Sequence, residues 1–196
     1  MKEMVLASRN KHKLEEIGDI LKEFNINIKS LDEVGLGNLE VVEDGETFEE
    51  NSMKKAVEVM SRINAVVIAD DSGLEVDALD NRPGVYSARF AGENATDEDN
   101  NKKLIEMLED EENRKARFVS VISVAFPDGR KFHVRGECVG EIGYEKRGKS
   151  GFGYDPLFIV DGYDKTFAEL GSDIKNKISH RANALVKLRE KLAELL

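Results

Sequence analysis

The sequence predicts an α/β fold built on a mixed β-sheet. Short apolar runs, each suited to a buried strand, alternate with longer segments whose apolar residues recur at helical spacing. A turn signal at residues 127–130 separates two strand-like runs, which predicts a hairpin and therefore strands running in both directions. The length of 196 residues suits a single domain, which we expect to comprise two lobes.

The predicted strands are apolar runs bounded by polar or turn-forming residues. Val41 and Val42 are expected to end a strand just before Glu43, and another strand is expected to stop at Asp70. The remaining boundaries follow from turn signals such as the Asn-Arg-Pro-Gly run at residues 81–84. Besides the strand that ends at Val42, the predicted strands cover residues 4–7, 65–69, 74–79, 118–126, 131–139 and 157–160.

Four helices are predicted from apolar residues at helical spacing and from capping residues. Thr47 and Glu50 form a capping-box pattern that opens the second helix, and Thr96 with Asp99 does the same for the third. The predicted inward positions are Leu14, Ile17, Leu21 and Phe24 in the first helix, Phe48, Ala56, Val59 and Ile63 in the second, Leu104 and Leu108 in the third, and Ala182, Leu185, Leu188, Leu192 and Leu195 in the last.

Composition excludes several classes of function. The formal net charge of −10 argues against bulk attraction to nucleic acid, so an anionic ligand would need a local basic site or a metal ion. No apolar run approaches the ~18 residues of a membrane span, and the N-terminus lacks the apolar core of a signal peptide. We therefore expect a cytoplasmic protein with no membrane partner, in which the lone Cys138 is a buried side chain.

Residues 143–150, GYEKRGKS, satisfy the P-loop pattern G-x-x-x-x-G-K-[ST]. A P-loop requires a helix that begins at its Lys-Ser pair, so that the helix N-terminus meets the phosphates. Here two glycines and Pro156 follow within six residues, which disfavours a helix. A P-loop phosphotransferase using Lys149 and Ser150 therefore remains only as an alternative.

A better phosphate site joins the first predicted strand to the first predicted helix. N–H groups at a helix N-terminus and nearby lysine side chains suit an anion. The alternative is a solvated first turn in which Ser8 or Asn10 caps the helix. The candidate phosphate contacts are Ser8, Arg9, Asn10, Lys11, His12 and Lys13.

Two acidic pairs are candidates for a metal site. Glu43-Asp44 and Asp70-Asp71 each follow an apolar run, and open α/β sheets bind ligands beyond the carboxyl ends of their strands. Adjacent carboxylates repel each other unless a cation neutralises them, and Mg²⁺ prefers oxygen ligands. Ser72 could donate a hydrogen bond to a phosphate. The alternative is a solvated turn.

Two further segments suggest a nucleotide base and its phosphates. Glycines surround Phe152 and Tyr154, which suits stacking on a flat base, and Asp155 could accept hydrogen bonds from the base edge. The alternative is a tight turn anchored by its aromatic rings. Lys175, Lys177, His180 and Arg181 are expected to cluster at the start of the last helix, a weaker signal for phosphate or carbonyl contacts.

The chain resembles the inosine triphosphate pyrophosphatase family, the dITP/XTP pyrophosphatases, in seven ordered motifs. These are SRNKHK at residues 8–13, EDGETFEEN at 43–51, DDSGL at 70–74, PGVYSAR at 83–89, GFGYDP at 151–156, DGYDKT at 161–166 and ISHR at 178–181. The resemblance implies Mg²⁺-dependent hydrolysis of ITP, dITP and XTP to the monophosphate and pyrophosphate. It also implies a homodimer and an elongated two-lobed fold around a long central sheet, with the nucleotide in the cleft between the lobes.

The resemblance also implies roles for individual residues. Asp71 resembles the general base and metal-associated carboxylate, and Glu43 a metal ligand, while Asp44 and Asp70 compete for these roles. The substrate contacts that it implies are Ser8, Arg9, Asn10, Lys11, His12, Lys13, Ser72, Phe152, Gly153, Tyr154, Asp155, Lys175, His180 and Arg181.

Two points remain open in this interpretation. The family usually has a Thr-Gly-type pair before Gly151, whereas Lys149-Ser150 here creates the P-loop match, and Lys149 either contacts a phosphate or faces solvent. A sensor that binds purine nucleotides without cleaving them is a second alternative. It is disfavoured because a sensor need not keep a costly cluster of carboxylates.

Overall fold

The computed structural model describes residues 2–23 and 25–195, and it confirms the predicted mixed α/β architecture. The strands are β1 (Lys2–Leu6), β2 (Ile26–Lys29), β3 (Val67–Val76), β4 (Lys115–Ala125), β5 (Lys131–Ile142) and β6 (Phe158–Val160). The helices are α1 (Lys11–Glu23), α2 (Phe48–Ile63), α3 (Asp97–Met107), α4 (Phe167–Leu170), α5 (Ser172–Ile178) and α6 (His180–Leu195).

The strands form one sheet in the order β2-β1-β3-β4-β5-β6. β1 is parallel to both β2 and β3, whereas β6 is antiparallel to β5. The turn at residues 127–130 joins β4 to its neighbour β5, with Phe126 N donating to Arg130 O at 2.9 Å. The hairpin predicted at this position is therefore present, and it accounts for part of the mixed strand directions.

The chain divides into two compact units, and β3, β4 and β5 each contribute residues to both. The first unit comprises residues 1–71, 120–136 and 181–196, and the second comprises residues 72–119 and 137–180. Each unit has hydrophobic cores formed from its own residues. The second unit is built around one such core, in which Phe118, Phe158 and Phe167 lie in mutual ring contact.

In the first unit, β1 is buried on both faces. Side chains alternate between the faces of a strand, and here Met4 and Leu6 pack with α1 and α6, whereas Val5 and Ala7 pack with α2. A strand covered on both faces must be apolar at nearly every position, which explains why residues 4–7 read as a continuous apolar run.

The capping residues in the sequence predicted the starts of α2 and α3 correctly. Thr47 accepts a hydrogen bond from Glu50 N and opens α2, and Thr96 with Asp99 forms a complete capping box at α3. At α2 the Glu50 carboxylate accepts instead from Glu46 N at 2.8 Å, one residue before the cap. Both helices begin where the sequence placed them, because these hydrogen bonds depend on residues three or four positions apart.

Several expectations about strands were wrong. β3 does not stop before Asp70 but continues through Asp70 and Asp71 to Val76, so the two predicted strands are one. No strand contains Val41 and Val42: residues 39–45 are irregular, and Val42 is 66% exposed. β2 was not predicted, although it pairs along β1.

The C-terminal prediction also needs correction. Lys175 and Lys177 lie on the separate short helix α5, not at the start of α6, because Ser179 adopts an extended conformation between the two helices. Within α6 the predicted inward face is confirmed by the burial of Ala182, Leu185, Leu188 and Leu192. Phe24, assigned to the first helix, lies outside the described residues.

Candidate active site

Asp70 and Asp71 are adjacent on β3 and therefore face opposite sides of the sheet. Asp70 lies on the face of Ile68, which packs with α1 and α6, and Asp71 lies on the face of Ala69, which packs with α2. Both side chains are buried. The alternation of the strand thus gives two neighbouring carboxylates separate sets of partners.

Asp70 is enclosed by cationic and hydroxyl groups. Its Oδ2 lies 2.8 Å from Lys13 Nζ of α1 and 3.3 Å from Arg181 Nη2 of α6, while Ser120 Oγ donates to Oδ1 at 2.5 Å. Burial alone would raise the pKa of Asp70, but Arg181 and Lys13 outweigh it and hold that pKa well below its usual range. Arg181 is itself buried and also pairs with Glu16. Asp70 is thus an ionised internal anchor for Lys13 and Arg181.

Asp71 has a different environment. Burial raises the pKa of Asp71, and the nearby Lys55 and Lys13 offset only part of that rise. Its Oδ1 lies 3.8 Å from Lys55 Nζ, and Oδ2 is buried with no hydrogen-bond partner among residues 2–23 and 25–195. A buried carboxylate with an unused oxygen and a raised pKa fits a group that exchanges protons or binds a ligand.

Lys55 joins the two acidic segments. Its Nζ lies 2.5 Å from Glu43 Oε1 and donates to the backbone oxygen of Asp70 at 2.8 Å, in addition to its contact with Asp71. Glu43 and Asp71, separate in sequence, therefore lie near one ammonium group. Asp44 instead points to solvent, where it pairs with the half-buried Lys54 at 2.6 Å. The geometry favours Glu43 over Asp44 as the partner of Asp71.

The oxygen donors of Glu43 and Asp71 suit Mg²⁺, but they do not form a complete cage. Within the described ranges no group of three or more His, Cys, Asp or Glu side chains converges on a possible metal position. Magnesium sites in nucleotide enzymes commonly use one or two carboxylates, with phosphate oxygens and water completing the shell. Two carboxylates, one of them with a buried unpartnered oxygen, fit that type of site.

The loop before α1 combines a cap with basic side chains. Asn10 Oδ1 accepts from the backbone N of His12 and of Lys13, so the capping alternative holds for Asn10. Ser8 accepts from Asn10 N at 3.2 Å, and Arg9 pairs with the exposed Glu40. Lys11 and His12 are exposed at the helix start, whereas Lys13 turns inward to Asp70.

The second unit groups three of the predicted substrate contacts. Asp155 Oδ2 lies 2.7 Å from Lys175 Nζ and accepts from Phe152 N at 3.0 Å, and the same ammonium lies 4.5 Å from the Phe152 ring centroid. Asp155 and Lys175 are buried, and Phe152 is half-buried. Asp155 is thus already engaged by Lys175 through the oxygen that also fixes the backbone of Phe152.

Other predicted contacts in this unit have structural partners. Tyr154 is buried and its hydroxyl donates to Ser87 O at 2.7 Å, so this ring anchors the loop and does not present a stacking face. His180 is buried, with its ring stacked on Phe118 at 4.8 Å. Ser72 is half-buried on β3, and Gly153 adopts a positive φ of 60°.

The P-loop pattern does not form a P-loop. Residues 151–157, which follow the Lys-Ser pair, are turns and bends and not a helix. Ser150 Oγ donates to Ala168 O at 2.6 Å, and Lys149 is exposed. The match is therefore accidental, as the surrounding sequence predicts.

Lys55 is the site residue that sequence reasoning missed. It falls on the buried face of α2 together with Ser52, Ala56 and Val59. A lysine on the apolar face of a helix is unusual, because a buried ammonium group requires anionic partners. That signal was readable from the sequence and predicts a nearby carboxylate.

Comparison with known proteins gives a family match for this chain. The model of the Ham1 family matches residues 4–191. Curated proteins described as dITP/XTP pyrophosphatase include one from Clostridium perfringens, 50% identical over the whole of both chains, and one from Bacillus subtilis, 49% identical over 98% of each.

Solved structures agree with this assignment. The Ham1 protein of Staphylococcus aureus is 43% identical and superimposes with a TM-score of 0.90 over the whole of both chains. A nucleoside-triphosphatase described as dITP/XTP pyrophosphatase, from Mycobacterium abscessus, is 40% identical with a TM-score of 0.78, covering 95% of this chain and 98% of that one.

Proposed function

The chain belongs to the Ham1 family, and from that premise we propose that it hydrolyses non-standard purine nucleoside triphosphates to the monophosphate and pyrophosphate. The proposed substrates are dITP, XTP and ITP. The single observation that carries this proposal is end-to-end similarity to curated dITP/XTP pyrophosphatases. The buried, partly unpartnered carboxylate of Asp71 is the group best placed to act as a base.

A divalent metal, proposed to be Mg²⁺, would be held by Glu43 and Asp71. When bound, it would neutralise phosphate charge and complete its shell with phosphate oxygens. Asp70 is not proposed as a ligand, because both of its oxygens are engaged by Lys13, Arg181 and Ser120. Asp44 is not proposed either, because it lies at the surface with Lys54.

In the proposed reaction Asp71 accepts a proton from water as the water oxygen bonds to the α-phosphorus. The bond from that phosphorus to the bridging oxygen of the β-phosphate breaks, and pyrophosphate leaves with the electron pair. A raised pKa makes Asp71 a stronger base than an exposed aspartate. The exposed Lys11 and His12, with Ser8, Arg9, Asn10 and Lys13, are the proposed triphosphate contacts.

The purine base is proposed to bind mainly to residues of the second unit. Phe152 is proposed to stack on the purine, with Ser72, Gly153, Asp155, Lys175 and His180, and Arg181 of the first unit, as further substrate contacts. Tyr154 acts through the loop that it anchors. A site matched to a 6-oxo purine leaves a hydrogen-bonding group unpaired against the 6-amino group of adenine, which penalises ATP.

The remaining expectations are proposals: the homodimer rests on family resemblance, whereas the cytoplasmic location and the lack of a nucleic-acid partner rest on composition and charge. The protein is proposed to act in the cytoplasm as a single-domain subunit of a homodimer, with no nucleic-acid partner. The membrane expectation has one structural observation behind it: in the described part of the chain, no helix is both long enough and apolar enough to span a bilayer.

The experiment is a product assay that resolves pyrophosphate from orthophosphate. Wild-type protein should release pyrophosphate from dITP, XTP and ITP, but not from dATP or dGTP, and only with Mg²⁺. Asp71→Asn should lose about 10²–10⁴-fold in kcat, because the proposed proton acceptor is removed and a proposed metal ligand is weakened, while dITP should still bind through its other contacts. Asp44→Asn is the matched control and should keep full activity, since Asp44 lies at the surface.

Three results would contradict the proposal. Orthophosphate as the product would indicate a phosphatase or phosphotransferase. Tight binding of dITP with no turnover by the wild type would indicate a sensor. Equal losses in Asp44→Asn and Asp71→Asn would remove the basis for assigning the base to Asp71.

A further inference from the structure

Two consecutive asparagines on α3 are buried, and their side chains hold different segments of the second unit. Asn100 and Asn101 are each 3% exposed. Asn100 Oδ1 accepts from Ala91 N at 2.8 Å, and its Nδ2 donates to Ala88 O at 3.1 Å. Both ends of the Asn100 amide are therefore satisfied by the backbone around residues 88–91, which is what a structural asparagine requires.

Asn101 is bonded differently. Its Nδ2 donates to Asp97 O and to Gly153 O, each at 2.8 Å. Its Oδ1 is buried and has no hydrogen-bond partner in the part of the chain that the structure describes. A buried unpaired acceptor lowers the free energy of unfolding, whereas an apolar side chain of similar shape would avoid that loss. Stability of α3 alone therefore does not explain an amide at this position.

The bond to Gly153 completes a clamp on one residue. Gly153 N donates to Asp97 Oδ2 at 2.7 Å, so both backbone polar groups of Gly153 are held by residues one turn apart on α3. On the other side, Phe152 N donates to Asp155 Oδ2 at 3.0 Å. The backbone is thus fixed both at Phe152 and immediately after it. Gly153 adopts the left-handed conformation that this path needs.

We propose that Asn101 is a positioning residue that fixes the loop of residues 151–155, so that the Phe152 ring is pre-oriented for the purine base. The inference rests on the proposed function, in which Phe152 stacks on the base. A loop that is already ordered loses less conformational freedom when a ligand binds, so the benefit is expressed in substrate affinity. Asn101 itself need not touch the substrate.

The test compares Asn101→Leu with the matched control Asn100→Leu. Asn101→Leu should raise KM for dITP on the order of tenfold with kcat little changed, and Tm should not fall, because the lost partners are a half-exposed glycine and the exposed Asp97. Asn100→Leu should lower Tm by about 2–8 °C, because Ala91 N–H and Ala88 C=O lose their partner, with KM unchanged.

Hydrogen exchange gives a readout independent of catalysis. Amides in residues 151–155 should exchange faster in Asn101→Leu and at the wild-type rate in Asn100→Leu. Unchanged exchange in Asn101→Leu, or equal KM changes in both variants, would overturn the positioning role. If wild-type protein does not cleave dITP, the proposed function fails, and the exchange comparison still decides whether Asn101 holds the loop.

Discussion

Replacing each of the two adjacent aspartates of β3 by asparagine should change stability in opposite directions. Asp70→Asn should lower Tm strongly, whereas Asp71→Asn should leave Tm unchanged or raise it. The two substitutions are chemically identical and one residue apart. The difference comes from strand alternation, which pairs Asp70 with Lys13 and Arg181 and leaves Asp71 buried with an unpartnered oxygen.

The expected magnitude for Asp70 follows from its contacts. Its side chain is fully buried, and removing one partner of a buried ion pair costs about 3–5 kcal/mol of free energy of unfolding. For a chain of this size each kcal/mol corresponds to about 2–4 °C, so Tm should fall by about 6–20 °C. At Asp71 the neutral amide removes the cost of burying a charge, and Lys55 keeps Glu43 as a partner.

The contributions of Asp70 and Asp71 to stability should also depend on pH with opposite signs. The folded-state pKa of Asp70 lies below its unfolded value, so its stabilisation is fully present above about pH 4–5 and is lost as the pH falls through the folded pKa. The folded-state pKa of Asp71 is raised, so its charge opposes folding above that pKa, and the opposition disappears below the unfolded value of about 4.

Thermal unfolding followed by circular dichroism at pH 7 and near pH 3 would measure both effects. Asp19→Asn is the control, because Asp19 pairs with Lys22 at the surface and such pairs contribute about 0–1 kcal/mol. At pH 7 the Tm order should be Asp71→Asn at or above wild type, Asp19→Asn near wild type, and Asp70→Asn well below. Equal losses at Asp70 and Asp71, or a larger loss at Asp71, would refute the reasoning.

Two further predictions concern residues outside this pair. Lys149→Ala should have the kcat and KM of wild type for dITP, because Lys149 is exposed and its P-loop pattern is accidental. A large loss of activity would instead indicate that residues 143–150 contribute to the site. Burial, with Asp161 nearby, raises the pKa of the Cys138 thiol to about 11, so iodoacetamide at pH 8 should react about 100-fold more slowly with folded protein than with protein unfolded in urea. Equal alkylation rates in the two states would contradict the burial of this thiol.

Elements determined by neighbouring residues could be predicted from the sequence. The caps at Thr47 and Thr96 depend on partners three or four residues away, and the hairpin depends on the run at residues 127–130. The inward face of α6 followed from its spacing alone. The candidate site residues could be identified from the seven motifs, because each motif is a continuous stretch of the sequence.

Elements determined by distant partners could not be predicted. Two adjacent aspartates indicated a turn, yet β3 passes through them because Lys13, Lys55 and Arg181, from three helices, supply compensating charge. The single sequence does not show which cations approach a given strand. For the same reason, choosing the candidate metal ligands and base among the four carboxylates required knowing which side chains each of them contacts.

Short elements with weak patterns were the other source of error. β2 contains an asparagine among its few residues and is stabilised by pairing along β1, which composition does not reveal. The opposite error occurred at Val41 and Val42, where an apolar pair indicated a strand although no strand forms. In both cases the outcome depended on whether a partner strand was available.

The chain passes between the two units four times, after Asp71, Val119, Gly136 and His180. No continuous fragment of the gene therefore encodes either unit, and a single recombination event cannot exchange one unit for a relative's. Changes to the unit that is proposed to bind the purine base must accumulate by substitution within a shared reading frame. Diversification of substrate choice in such a protein is thus expected to proceed through point changes in loops, not through the shuffling of modules.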